Sequence, residues 1–142
     1  MQRATPYLIF NGQTEEAFAF YAGVFGSEVT GVVRYRDMGM DGDDADLVAN
    51  ISLPIARDTN LMGSDVSSSG ADRYTVGNNV QIHLQADDAD EARRVFAALA
   101  DGGTVTMPLD RSEWAELFGS CNDRYGVMWM VDFTGEVEFG AP

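Results

Sequence analysis

Residues 79–96, N-V-Q-I-H-L-Q-A-D-D-A-D-E-A-R-R-V-F, decide the fold because their hydrophobic period changes half-way along. From Val80 to Gln85 apolar and polar residues alternate strictly. Val80, Ile82 and Leu84 take one face, and Gln81, His83 and Gln85 take the other, which is the period of a strand with one buried face. From Asp87 to Asp101 the period becomes helical. Ala92, Val95, Phe96 and Leu99 form one stripe, acids occupy the first turn, and Gly102-Gly103 ends the run. The same succession stands 75 residues earlier, where residues 4–21, A-T-P-Y-L-I-F-N-G-Q-T-E-E-A-F-A-F-Y, align Glu16-Ala17 with Glu91-Ala92. The chain contains an internal repeat.

Working outward, Thr14 is placed to cap the first helix, with Glu15 and Glu16 in a turn that favours anions and Gly26 at its end. Strand-like runs follow at 28–35, 47–55 and around Leu61-Met62-Gly63, with an acidic connector at 38–46. The polar stretch 64–78 is the best candidate linker. After the second helix come a strand at Thr104 to Met107 closed by Pro108, and then a hairpin over 114–133. Each half therefore reads strand, helix, three strands. The expected organisation is α+β, a single domain of two βαβββ halves at about 1–66 and 77–135 joined by a linker at 67–76. Units of this size expose too much of their surface to be stable apart. They are expected to pair into a concave mixed sheet with helices on the outer face, so that strand faces turned away from the helices line a cavity.

Composition removes several function classes. The net charge of −14 and the absence of lysine argue against a phosphate-backbone footprint, lysine Schiff bases and P-loop contacts. Hence no nucleic-acid partner is expected. No run approaches the ~18 apolar residues of a membrane span, and the apolar N-terminal run is too short for a secretory segment. A cytoplasmic protein with no membrane partner is predicted. The single cysteine, Cys121, precludes an internal disulfide or a multi-cysteine metal site, and without an activating neighbour it reads as an inert buried thiol.

The hairpin W-A-E-L-F-G-S-C-N-D-R-Y-G-V-M-W-M-V-D-F at 114–133 holds both tryptophans. It is either the wall of a core or the lining of a pocket. Trp114 and Trp129 are the leading pocket-wall candidates, being large and apolar with one N–H each. Tyr7, Phe118, Met128 and Met130 are candidates to join them, with their facing undecided. Asp123 and Arg124 shape the turn. On the polar side, Gln81, His83 and Gln85 are expected to look into the cavity, and Asn50 and Ser52 can orient a ligand from the third strand. His83, the only histidine, is the default general acid or base; the alternative is a hydrogen-bonded cavity residue.

Taken in order, the motifs resemble the vicinal oxygen chelate (glyoxalase/bleomycin-resistance/dioxygenase) superfamily, in its PhnB-like, demethylubiquinone-methyltransferase-like branch. The resemblance rests on P-Y-L-I-F-N-G at 6–12, A-F-A-F-Y at 17–21 and L-M-G-S-D at 61–65. It continues through D-D-A-D-E-A to G-G-T-V-T-M-P at 87–108, then W-A-E-L-F-G and D-R-Y-G-V-M-W-M in the hairpin. It implies a glyoxalase-like fold and a homodimer with cavities for a small molecule. Metal-using relatives place His, Gln or Glu on four inward strands. Here those positions fall on Pro6, Gln81, Met130 and the stretch Leu61 to Gly63, a set that does not suit a hard or borderline cation. No metal or other cofactor is expected, and no glycine-rich turn supports a nucleotide-type methyl donor. The expected function is binding of a small aromatic or apolar metabolite in a metal-free cavity, by Tyr7, Asn50, Gln81, His83, Trp114, Phe118, Trp129 and Met130. The alternatives are a metal-dependent lyase or dioxygenase, and a non-catalytic sequestration or resistance protein.

Overall fold

The computed structural model describes residues 1–138, in two compact units that meet in sequence at Thr75 and Val76. In the first unit the strands are β1 (Tyr7–Phe10), β2 (Gly31–Arg34), β3 (Val48–Ala56) and β4 (Thr59–Asp65), ordered β1-β4-β3-β2. The β1–β4 pairing is parallel and the other two are antiparallel. Ala17, Phe18, Phe20, Tyr21, Val24 and Phe25 recur at helical spacing, and helix α1 (Thr14–Phe25) buries Ala17, Phe18, Tyr21 and Val24 of them, leaving Phe20 and Phe25 half-buried; Gly26 ends it at φ 63°. Gly63 lets the helix lie close to the sheet. A Cβ there would stand 2.8 Å from both the Leu8 carbonyl oxygen and Cε1 of Phe18.

The start of α1 differs from expectation. Gln13, not Thr14, is the N-cap, and it makes no side-chain capping bond. The buried Asp65, at the far end of β4, does that work instead. Its Oδ1 accepts from the Gly12 amide at 3.0 Å, the Thr14 amide at 3.1 Å and the Thr14 hydroxyl at 2.7 Å. Its Oδ2 accepts from the Val48 amide at 2.9 Å. One carboxylate thus satisfies orphan donors of the helix end and ties together α1, β3 and β4.

The second unit repeats the plan with β5 (Ile82–Gln85), α2 (Ala89–Ala100), β6 (Thr104–Asp110), β7 (Leu117–Asn122) and β8 (Met128–Phe133), in the order β5-β8-β7-β6. Helix α2 buries Ala92, Val95, Phe96 and Leu99 as expected, and it is capped locally. The Asp88 carboxylate accepts from the Glu91 amide and the Glu91 carboxylate accepts from the Asp87 amide, both at 2.8 Å. Strand β6 runs on through Pro108 to Asp110 rather than stopping there. It is an edge strand with two register shifts, where a residue without an N–H is tolerated. Val80 lies outside β5 and is 74% exposed, so the strand begins two residues later than the alternation predicts.

Counterpart residues of the two halves follow from facing. Leu8 and Phe10 turn inward on β1 as Ile82 and Leu84 do on β5, one residue out of step with the helices. The expected linker contains a short 3₁₀ turn, Ser68–Arg73. Among the described residues no helix is long and apolar enough to cross a membrane.

Candidate functional site

The parity of β8 divides the hairpin between two environments. Trp129 and Val131 are buried on the side of the sheet that packs under α2, as are Leu117, Gly119 and Cys121 on β7. Met128, Met130 and Asp132 alternate with them, and Phe118, Ser120 and Asn122 do the same on β7. The register then aligns the open face. Met130 stands opposite His83 on one side and Ser120 on the other, and Phe118 stands opposite Asp132.

His83 is therefore where the alternation places it, on the face turned away from α2. Its Nε2 lies 2.6 Å from Oδ1 of Asp132. The His83 side chain is 51% exposed while that of Asp132 is 8% exposed. A buried acceptor holds an accessible imidazole, which is how an acid–base group is oriented. The network continues: Thr134 Oγ1 approaches Asp132 Oδ2 at 3.4 Å and accepts from Gln85 Nε2 at 3.0 Å.

Aromatic surface stands nearby on the chain. Trp114 packs edge-on against Phe118 with ring centroids 5.2 Å apart, and it remains exposed. Trp129 is different. It is fully buried in the core, and its indole N–H donates to Asp123 Oδ2 at 2.8 Å, so it is not on the open face. The other oxygen of Asp123 accepts from the Tyr125 and Val127 amides at 2.8 and 3.0 Å. Gly126 completes the turn at φ 88°. Arg124 donates to the Asp101 carbonyl and carboxylate, fastening the hairpin tip to the end of α2. Thus Asp123 and Arg124 shape the turn, as expected.

The remaining candidates divide between the two units. Gln81 is exposed, just ahead of β5. Asn50 and Tyr7 belong to the first unit, where the Tyr7 hydroxyl donates to the Ala49 carbonyl at 3.5 Å. Cys121 is buried, and burial first and the Asp123 carboxylate second push its thiol up to about 11, so it is no nucleophile near neutrality. The acidic connector contributes structure: Asp44 accepts from the Ser68 amide and hydroxyl, and Asp46 pairs with Arg36. Sequence reasoning missed Asp132. The signal was present, since Asp132 shares parity with Met130 and so with His83 across the parallel pair.

A chelating centre of the kind metal-using relatives carry needs several convergent donors. Among the described residues no three His, Cys, Asp or Glu side chains come together. On the open face the donors to hand are the His83 imidazole and the Asp132 carboxylate, bonded to each other, beside the Met130 thioether. One imidazole and one carboxylate that satisfy each other, with a soft thioether beside them, do not make up the three or more convergent donors a hard or borderline divalent ion needs.

Comparison with known proteins agrees with this architecture. A solved structure, protein PA1353 of Pseudomonas aeruginosa, is 36% identical with a TM-score of 0.81, covering 94% of this chain and 98% of that one. A PhnB protein of Bacillus cereus is 29% identical with a TM-score of 0.75, covering 93% and 99%. Protein YjdN of Escherichia coli (strain K12) is 27% identical over 140 residues, 90% of this chain and 92% of that protein. A glyoxalase-related enzyme from Fulvimarina pelagi, 19% identical with a TM-score of 0.59, shares the fold alone. The family described as 3-demethylubiquinone-9 3-methyltransferase matches residues 2–132, and the chain belongs to this PhnB-like family, on a glyoxalase-like fold.

Proposed function

We propose that the protein binds a small aromatic or apolar molecule on the open face of its second sheet without a metal ion, with His83 as its acid–base group. One observation carries this reading: a half-exposed imidazole, held by the buried Asp132, stands opposite Met130 and close in register to Phe118. Thioether and aromatic surface favours an apolar ligand body, and a single oriented imidazole supplies one proton acceptor. The net charge of −14 disfavours an anionic ligand. Proton abstraction next to a carbonyl or from a weakly acidic hydroxyl is the reaction class that one base and no metal can serve.

Tryptophan fluorescence tests the reading. Trp114 is exposed against Phe118 whereas Trp129 is sealed in the core, so a ligand on this face quenches the Trp114 signal and Trp114→Phe removes the response. His83→Gln is expected to weaken binding or turnover of the ligand so found. If both stay unchanged, the assignment of His83 fails. Saturable binding with no product would instead favour a sequestration role. Stoichiometric uptake of Ni²⁺, Mn²⁺, Fe²⁺ or Zn²⁺ would overturn the metal-free part. A homodimer belongs to the same reading, supported by the exposed apolar side chains Val105 and Met107 on edge strand β6 and Val32 and Val33 on edge strand β2. A sedimentation mass near the 15.4 kDa of one chain would contradict it.

A further inference from the structure

The proposed acid–base group has two ring nitrogens, and the structure treats them differently. Nε2 of His83 sits 2.6 Å from Oδ1 of Asp132, while Nδ1 has no hydrogen-bond partner among the described residues. A carboxylate can only accept. The bond therefore requires the proton to be on Nε2, and a neutral imidazole then carries its lone pair on Nδ1. We propose that Asp132 is a positioning residue. It holds His83 as the Nε2–H tautomer, so that Nδ1 is the atom offered to an acidic proton of the ligand, and Thr134 and Gln85 hold Asp132 in turn.

Three features support the assignment. Asp132 is buried while its partner is half exposed, so the fixed member of the pair is the carboxylate and the member facing solvent is the base. The contact is shorter than a neutral N–H···O bond, the direction in which charge assistance shortens and strengthens such bonds. Asp132 is also anchored apart from His83. Its own carbonyl accepts from the Ala86 amide at 2.8 Å, and its second carboxylate oxygen faces Thr134 Oγ1, which accepts from Gln85. Among the described residues, Asp132 is the one charged group in contact with His83. When Nδ1 takes a proton from a ligand, imidazole becomes imidazolium and the ligand keeps the electron pair. The Asp132 carboxylate then faces a full positive charge, which stabilises the product of the transfer.

The inference rests on the proposed use of His83, yet it can be tested without any ligand, so the two fail separately. His83 is the only histidine, and protein labelled with ¹⁵N in the histidine ring reports on this residue alone. At a pH where the ring is neutral, the Nε2–H form is expected to exceed the Nδ1–H form by about tenfold or more, the discrimination one charge-assisted hydrogen bond supplies. Asp132→Asn can turn an amide donor toward the ring, and the ratio is expected to fall by about tenfold or more. A wild-type ring that is mainly Nδ1–H, or a ratio unchanged in a folded Asp132→Asn variant, overturns the proposal. Should that variant not fold, the wild-type ratio still decides. A screen that finds no ligand while the tautomer holds rejects the proposed function and leaves this inference standing.

Discussion

At the scale of single residues, the buried carboxylates do most of the specifying, and each is satisfied by named donors. Asp123 joins the turn amides of Tyr125 and Val127 to the indole of Trp129. Asp123→Ala leaves a fully buried N–H without its acceptor and loosens the turn, so we expect a loss of about 2–4 kcal/mol in urea unfolding. Arg124→Ala removes the exposed contacts with Asp101 and is expected to cost less than about 1 kcal/mol. A reversal of that order would show that the tip, not the indole bond, holds the hairpin. Cys121 supplies a pH test. Its folded thiol is raised from 9.0 to about 11. Below pH 9 neither state ionises and stability is unaffected. Between pH 9 and 11 the unfolded chain loses its proton first, so stability falls as pH rises through that window, by about 2 kcal/mol. Cys121→Ala should flatten most of this slope, leaving the part due to Tyr35 and Tyr74, both raised by burial.

At the scale of elements, the two halves reach one plan by different means. Helix α2 carries its cap in its own sequence, in Asp88 and Glu91, whereas α1 takes its cap from Asp65 across the sheet. The difference has a measurable consequence. Asp88→Ala removes one exposed cap and is expected to cost about 1 kcal/mol. Asp65→Ala strands several buried donors together and is expected to cost about 3 kcal/mol or more. Comparable losses by thermal or urea unfolding would count against Asp65 as the tie of the first unit. The difference also explains what was legible. The stripes of both helices, the alternation at Ile82 to Gln85 and the Gly26 stop could be read locally, because period and capping are local properties. The Asp65 cap could not, since Thr14 and Asp65 are brought together only by the parallel pairing of β1 and β4.

At the scale of the molecule, charge is the dominant fact. A net charge of −14 in a chain without lysine opposes the compact state by self-repulsion. Raising the salt from ~0.01 to ~1 M shortens the screening length from roughly 30 to 3 Å. The midpoint of thermal unfolding is therefore expected to rise with sodium chloride. Screening also weakens the ion pairs Arg34–Glu15, Arg36–Asp46, Arg93–Asp90 and Arg124–Asp101, but exposed pairs contribute little each. A midpoint that falls with salt would mean these pairs outweigh the repulsion.

By itself the sequence determined the duplication, the α+β class, the family motifs and the face on which His83 stands, because all of these follow from local period or short-range order. Only the tertiary structure decided what that face contains. It turned Trp129 into the core by strand parity, left Trp114 exposed against Phe118, and brought Asp132 to His83 from 49 residues away. The physical reason is that hydrogen-bond partners of buried groups are chosen by strand register, which sets distances between segments that no local pattern records.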